Sequence, residues 1–452
     1  MCANLGEQVI TAVTYPSGPY AANTPEKHFV YDSASLTYNG SAVAMQNAKG
    51  RLVRAYTGPA GSKKTDLFYS YSARGEIVDV YQSTATSGGK YYHVSGTYWA
   101  HGALKTQSQA KAATSAAASE VTFAGLPAIT YGVNAAGRVS AVNDGSAQNP
   151  VTGVTYAPAG SIPAPAGYLT GVTYGSQDVD TFTPDVNTGR MTQFKYAVNG
   201  QNVIGDLTWN ANGSLKTLAY TNPFHAGSTM TCNYTHDDLA RIASVDCPGK
   251  WAQDFTYDAF GNINKSGNVS FLATYAPATN RVTNLGITYD TNGNITNDGM
   301  HPYQWDAEGR TQTAEAIGVT YDAFDRMVEQ DDGGTYTRFL YGVQGEKLAT
   351  VAVTALIQGF VALPGGGTAV YTSSGLSFYR HADWLGSTRF ASTPSRTMHY
   401  SRGIAPYGEP NYGSNTIDKP SPVRHRTRRT ASTTSCIGAT TRIRAGGFLP
   451  TR

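Results

Sequence analysis

Charge is scarce in this 452-residue chain: Asp, Glu, Lys and Arg together make up 14% of it, against the usual quarter or so. No apolar run approaches the roughly 18 residues a membrane helix needs, which excludes a helical membrane span. Met1-Cys2-Ala3-Asn4-Leu5 lacks the charged and apolar regions of a signal peptide, so an export signal is not expected within this chain. There are four cysteines, Cys2, Cys232, Cys247 and Cys436, and no pair has CxxC spacing. With nine histidines scattered without HExxH or HxH spacing, no metal site and no cofactor are expected. Gly365-Gly366-Gly367-Thr368 lacks the lysine of a phosphate loop, and no GxSxG elbow occurs. The net charge is only +3, and no basic patch interleaved with aromatics appears, which argues against nucleic acid as a partner.

Glycine (49) and tyrosine (30) are abundant, as are Thr, Val and Asn. That mixture suits strands and tight turns and suits helices poorly. A hydrophobic fraction of 40% is too high for a disordered chain. The composition is all-β.

The chain also repeats itself. Tyr257-Asp258 leads to Gly261, Tyr289-Asp290 to Gly293, Trp305-Asp306 to Gly309-Arg310, and Tyr321-Asp322 to Asp325-Arg326. The aspartates are spaced by 32, 16 and 16 residues, the signature of a short-repeat array. Weaker copies lie upstream, before Gly75, Gly137, Gly189, Gly213 and Ala240. Each copy reads as a hairpin. Alternating aromatic and polar residues give one dry and one wet strand face. Asp followed three residues later by Gly supplies the local side-chain bonds and positive φ of a tight turn. A single hairpin cannot bury its apolar face, so neighbours must pair into one continuous sheet. In that sheet Tyr257, Tyr289, Trp305 and Tyr321 pack neighbouring strands. Cys232 and Cys247 are equidistant from the turn at Leu239-Ala240, so they face each other as a cross-strand disulfide or stand as two free thiols.

Two stretches interrupt the pattern. Gln107 to Glu120, rich in Ala, Ser and Gln, reads as a linker or short helix, and Ala157 to Gly167 as a loop. The adjacent acids Asp237-Asp238 and Asp331-Asp332 sit at turns and point to opposite faces, so they read as solvated turn residues rather than a catalytic pair.

The turn pattern resembles the YD repeats of bacterial Rhs and wall-associated proteins and of animal teneurins. Phe378 to Arg389, with Tyr379, His381, Asp383, Leu385, Gly386, Ser387 and Arg389, closely resembles the family signature YYHxDHLGSTR. Ala405-Pro406-Tyr407-Gly408-Glu409 resembles its continuation YDPYGE. The resemblance implies a β-sheet strip that spirals into a hollow shell around a toxin, with the core segment plugging one end and an aspartate-dependent self-cleavage beyond it. On that basis the chain divides into an N-terminal degenerate region (1–66), a repeat array (67–352), a core-associated segment (353–416) and a tail (417–452). The expected role is a structural wall in a secreted or surface-exposed bacterial protein, with an enclosed toxin domain or a secretion apparatus as partner. A cell-surface protein that binds glycans through its many aromatic rings is the alternative, and an aspartate-dependent self-cleaving core whose cleavage motif is lost here is a further one. No catalytic residue of its own is expected. Within the signature, His381, Asp383 and Arg389 read as buried polar contacts of a plug.

The ending departs from the family. No tyrosine follows Tyr412, and Pro422 to Arg429 is strongly basic. Codons permitted for Ala431 to Arg452, read in another frame, can spell LYDFLYRRYHPNPGRWISADP, which matches the family's cleavage segment. A frameshift near Lys419 is therefore expected, with a disordered tail after it. The nucleotide sequence tests this directly.

Overall fold

The computed structural model describes residues 9–116, 120–158 and 165–412. Among them there is no α-helix and hence none long and apolar enough to cross a membrane; the regular elements are antiparallel strands with three short 3-10 turns. The all-β expectation holds. The tail 417–452 and its inferred frameshift lie outside the described residues.

Strand pairing follows the chain. A 21-stranded sheet runs from Ala12–Val13 to Ile263–Gly267, and an 11-stranded sheet from Tyr303–Trp305 to Met398–Ser401. In the second sheet every strand pairs with its sequence neighbour. The hairpin Ile287–Tyr289/Ile295–Asp298 lies between the two sheets, joined by the single bridges Lys265↔Phe271, Tyr275↔Val282 and Asn297↔Pro302. The second sheet passes without a break through residue 352, and residue 66 falls inside the strand Thr65–Tyr71. The divisions expected at those points are changes of sequence character rather than breaks in the fold.

The first sheet forks once. Strand Lys90–Tyr98 pairs through its first half with Lys111–Thr114 and through its second half with Leu104–Gln107. This corrects the linker-or-helix expectation for Gln107 to Glu120. The small side chains of Ala110, Ala112 and Ala113 are almost fully buried there, and close sheet packing overrides alanine's helical preference.

The core lies between the two sheets. Val142, Val172, Phe194 and Tyr196 of the first sheet pack with Val361, Ala369, Tyr379 and Phe390 of the second. Leu67, Val80, Tyr92 and Val94 pack likewise with Leu340, Leu348, Ala349 and Val351. Alternation puts these residues there: in Met191–Val198 the side chains of Phe194, Tyr196 and Val198 face inward and those between them are half-exposed. Burying one such ring or aliphatic side chain stabilises by about 1.5–3 kcal/mol. A hairpin, Ser35–Tyr38/Ser41–Ala44, covers the far face of the first sheet over Val53, Phe68 and Tyr81. The strip has thus turned back and laid its second length on its first.

Candidate functional site

The repeat turns are built by one carboxylate each. Asp306 Oδ1 accepts the backbone N–H groups of Glu308 (2.9 Å) and Arg310 (2.8 Å). Its Oδ2 accepts Arg310 Nε at 2.6 Å. Gly309, at φ 74°, closes the turn by donating to the Asp306 carbonyl. The guanidinium then lies over the ring of the next repeat tyrosine, Tyr321, 5.0 Å from its centre. The Tyr321 hydroxyl reaches back to the carbonyl of Thr311 at 3.0 Å. Asp322, Arg326 and Tyr341 repeat the unit, and so do Asp237, Arg241 and Tyr257. Charge-assisted bonds and a cation over a ring are both stronger than their neutral counterparts, so the unit ties each hairpin to the next.

Variants keep the logic. At Asp258 and Asp290 the partner is an asparagine four residues on, Asn262 or Asn294. The Asn262 amide holds the Asp258 carboxyl below the usual carboxylate range. Gly261 and Gly293 take φ of 83° and 91°. Asp325 and Ala240 stand where glycine is usual, at φ 66° and 60°. Trp305 Nε1 donates to the Ile295 carbonyl, and the Tyr289 hydroxyl accepts the Val282 N–H at 3.0 Å. The aromatic positions were legible in the sequence as packing residues. Arg310 was legible as a turn residue but its bridging role was not, although that signal is present: Arg four residues after Asp, with Tyr 11 to 16 residues further on.

The core signature forms the seam between the sheets. It spans the strand Gly375–Ala382, the turn Asp383 to Gly386 and the strand Thr388–Ser392. His381 Nδ1 lies 2.8 Å from Asp180 Oδ1, and its Nε2 lies 2.8 Å from Ser392 Oγ. The Tyr174 hydroxyl donates to Asp180 Oδ2 at 2.6 Å. The connectivity, acid to imidazole to hydroxyl, is that of a serine-nucleophile relay. His381 and Ser392 are 0% exposed and Asp180 is 2% exposed. A nucleophile with no path to a substrate cannot attack one, so the arrangement acts as a buried pin joining the second sheet to the first. Tyr379 packs beside it, its ring tilted by 50° and 4.7 Å from that of Tyr174.

Asp383 caps its own turn through the N–H groups of Leu385 and Ser387, both at 2.9 Å. Its arginine, Arg389, comes six residues on rather than four, binds Asp383 Oδ2 at 2.7 Å and lies over Trp384. Gly386 takes φ 76° and Gly408 φ 88°. Leu385 points to solvent. In the continuation, which includes Pro406, Tyr407 packs on Phe255 at 5.2 Å and its hydroxyl meets that of Tyr257. Glu409 forms a buried ion pair with Lys265. Cys232 and Cys247 are joined as a disulfide across their hairpin.

Further bridges follow the same seam: Lys27 to Glu308 and Asp325, Thr84 to Glu329, Tyr371 to Asp144, and Arg396 to Asp178. The structure brings His381 together with Asp180, Tyr174 and Ser392, none of which the sequence marked. The only trace of Asp180 was an acid on the inward side of Val179–Pro184, where Phe182 and Pro184 are its buried neighbours. Among the described residues, Phe260 and Phe324 are the aromatic side chains that stand out as large exposed apolar groups.

Residues 174–356 match the family model described as Teneurin YD-shell. No curated protein matches the chain in sequence. Among solved structures, the chain is similar to the Tc holotoxin pore of Photorhabdus luminescens, at 14% identity and a TM-score of 0.63, over 87% of this chain and 23% of that one. It is similar also to TcdB2-TccC3 without its hypervariable C-terminal region, at 14% identity, a TM-score of 0.63 and the same coverage. TcdB2-TccC3-Cdc42 matches with a TM-score of 0.62. The chain spans about a quarter of the length of these structures, and at this identity the likeness is one of fold.

Proposed function

We propose that this chain, a YD-repeat protein of the Rhs/YD-repeat family, forms part of the wall and closing segment of a secreted bacterial container that encloses a toxin. The observation that carries the reading is the continuous strip of capped hairpins, folded back so that the core signature is pinned beneath the first sheet. The two lengths of strip pack on each other, so this chain serves as one filled part of a larger wall, and among the described residues the Asp180–His381–Ser392 arrangement is buried away from an outside substrate. We assign it no catalytic step, and we propose that the self-cleavage known in the family is lost with the C-terminal motif that a frameshift near Lys419 removes. We do not favour the surface-adhesion alternative, because many of the rings that would stack on sugars are buried in the core. The Tc complexes of similar fold support an enclosed toxin component as the partner and an extracellular destination.

A protease-sensitive tracer peptide joined to the C-terminus of the intact-frame protein tests this. Enclosure predicts that the tracer survives a protease concentration that destroys the same peptide free in solution. Cleavage at the free-peptide rate overturns the container reading.

A further inference from the structure

The turn from Gly403 to Glu409 lies over the disulfide. Ala405 belongs to one packed cluster with Cys232, Cys247, Val245, Trp251 and Phe255, and Tyr407 packs at its margin. Cys232 and Cys247 are 3% and 1% exposed. Four other contacts hold this strap: the Lys265–Glu409 ion pair, the Tyr257–Tyr407 hydroxyl contact, Tyr407 on Phe255, and Arg389 Nη2 at 3.2 Å from the Ile404 carbonyl. Floor and strap therefore share one small core.

We propose that the Cys232–Cys247 bond and the Gly403–Glu409 strap form a redox latch, each protecting the other. A thiol reductant needs a thiolate path to one sulfur, and the closed strap leaves none. Reduction therefore proceeds through a state with the strap lifted. The chemistry is ordinary exchange. A reductant thiolate attacks one sulfur to give a mixed disulfide, and a second reductant thiol resolves it. The reductant leaves oxidised, and the two protein sulfurs leave as thiols after taking up protons. Once separated, the sulfurs must part from bonding distance to van der Waals contact, on the order of 3.5–4 Å, which displaces the floor on which Ala405 and Phe255 pack. By linkage, whatever factor strap opening lends to the equilibrium of reduction, reduction lends to the equilibrium of strap opening. The latch rests on this packing alone and stands or falls apart from the container reading. Its consequence is directional: the strap is held in an oxidising medium and loosened in a reducing one.

Hydrogen exchange on the whole protein, before and after dithiothreitol, tests one direction. The Ala405 and Gly408 amides, which bond to Glu409 and Ala405 carbonyls, should exchange about tenfold faster once the bond is reduced, a usual size for such coupling. The same should hold in C232S/C247S without reductant, while strands Lys27–Tyr31 and Leu52–Thr57 are unchanged. Thiol trapping with iodoacetamide tests the protection itself: Tyr407→Ala, which loosens the strap, should shorten the half-time of reduction by about tenfold, since exchange needs access to a sulfur. Strap exchange that is unaltered in both the fully reduced protein and the double serine variant overturns the latch. So does a Tyr407→Ala protein reduced no faster than the parent.

Discussion

At the scale of single residues, the repeat depends on carboxylates that each serve several donors. Asp322 accepts the N–H groups of Phe324 and Arg326 and the Arg326 side chain. Replacing it by Ala leaves buried donors unmatched, which costs about 1–3 kcal/mol. Asp322→Ala should therefore lower the melting temperature by several degrees, and Arg326→Lys by less, because Lys keeps a cation over the Tyr341 ring but loses the guanidinium's directed bond. Equal losses in calorimetry would show that the Arg bond to Asp322 contributes nothing beyond charge. Glu346 presents the opposite case. Its carboxyl, in a turn where other repeats carry Asp, is pushed above its ordinary range by burial. The folded protein thus binds that proton more readily than the unfolded chain does. Stability from this group is present at low pH and is lost as pH rises from the ordinary Glu value through the raised one. Glu346→Gln should remove that decline and stabilise the protein at neutral pH, as read by denaturant midpoints across pH. A midpoint that falls in the variant at pH 7 would contradict the assignment.

At the scale of elements, the sequence displayed the hairpins because their determinants are local. An aromatic, an acid and a glycine at fixed offsets specify strand end, turn cap and positive φ without reference to the rest of the chain, as at Tyr289, Asp290 and Gly293. The stretch Gln107 to Glu120 misled for the complementary reason. Ala and Ser carry little local preference for strand, and it is the neighbouring strands Lys90–Tyr98 and Val121–Thr122 that make Lys111–Thr114 one. Asp180, Ser392 and His381 were illegible as a group because they are brought together by a seam spanning 201 residues between His381 and Asp180, a distance no local pattern encodes. Elements also differ in how well they are held. The hairpin Ile287–Tyr289/Ile295–Asp298 joins its neighbours through isolated bridges, whereas strands such as Met191–Val198 pair along most of their length on both sides. Two-stranded elements are marginal alone. Native-state hydrogen exchange should show Ile287 to Asp298 opening roughly tenfold or more readily than Met191 to Val198, and equal protection would mean that packing of Ile287 under Phe271 and Val282 compensates fully.

At the scale of the whole molecule, the resemblance supplied a curling strip, and the residues themselves supplied its alternation, but neither supplied what the inward faces meet. They meet each other. Leu67, Val94, Phe194 and Tyr196 of the first sheet are buried by side chains of the second rather than by an interior of water. Apolar area buried between the sheets stabilises both at once, at roughly 25 cal/mol for each Å² removed from water, so neither length of strip has a complete core without the other. The consequence is cooperative folding despite the repeat construction, in which stability would otherwise be a sum over neighbouring units. The whole protein should melt in a single calorimetric transition. A fragment ending at Gly267 should bind a hydrophobic dye strongly and self-associate, since it presents an uncovered face of rings and aliphatic side chains. A fragment that stays monomeric, with a melting curve matching that of the intact chain, would show that the first sheet closes its own core and that the second merely lies upon it.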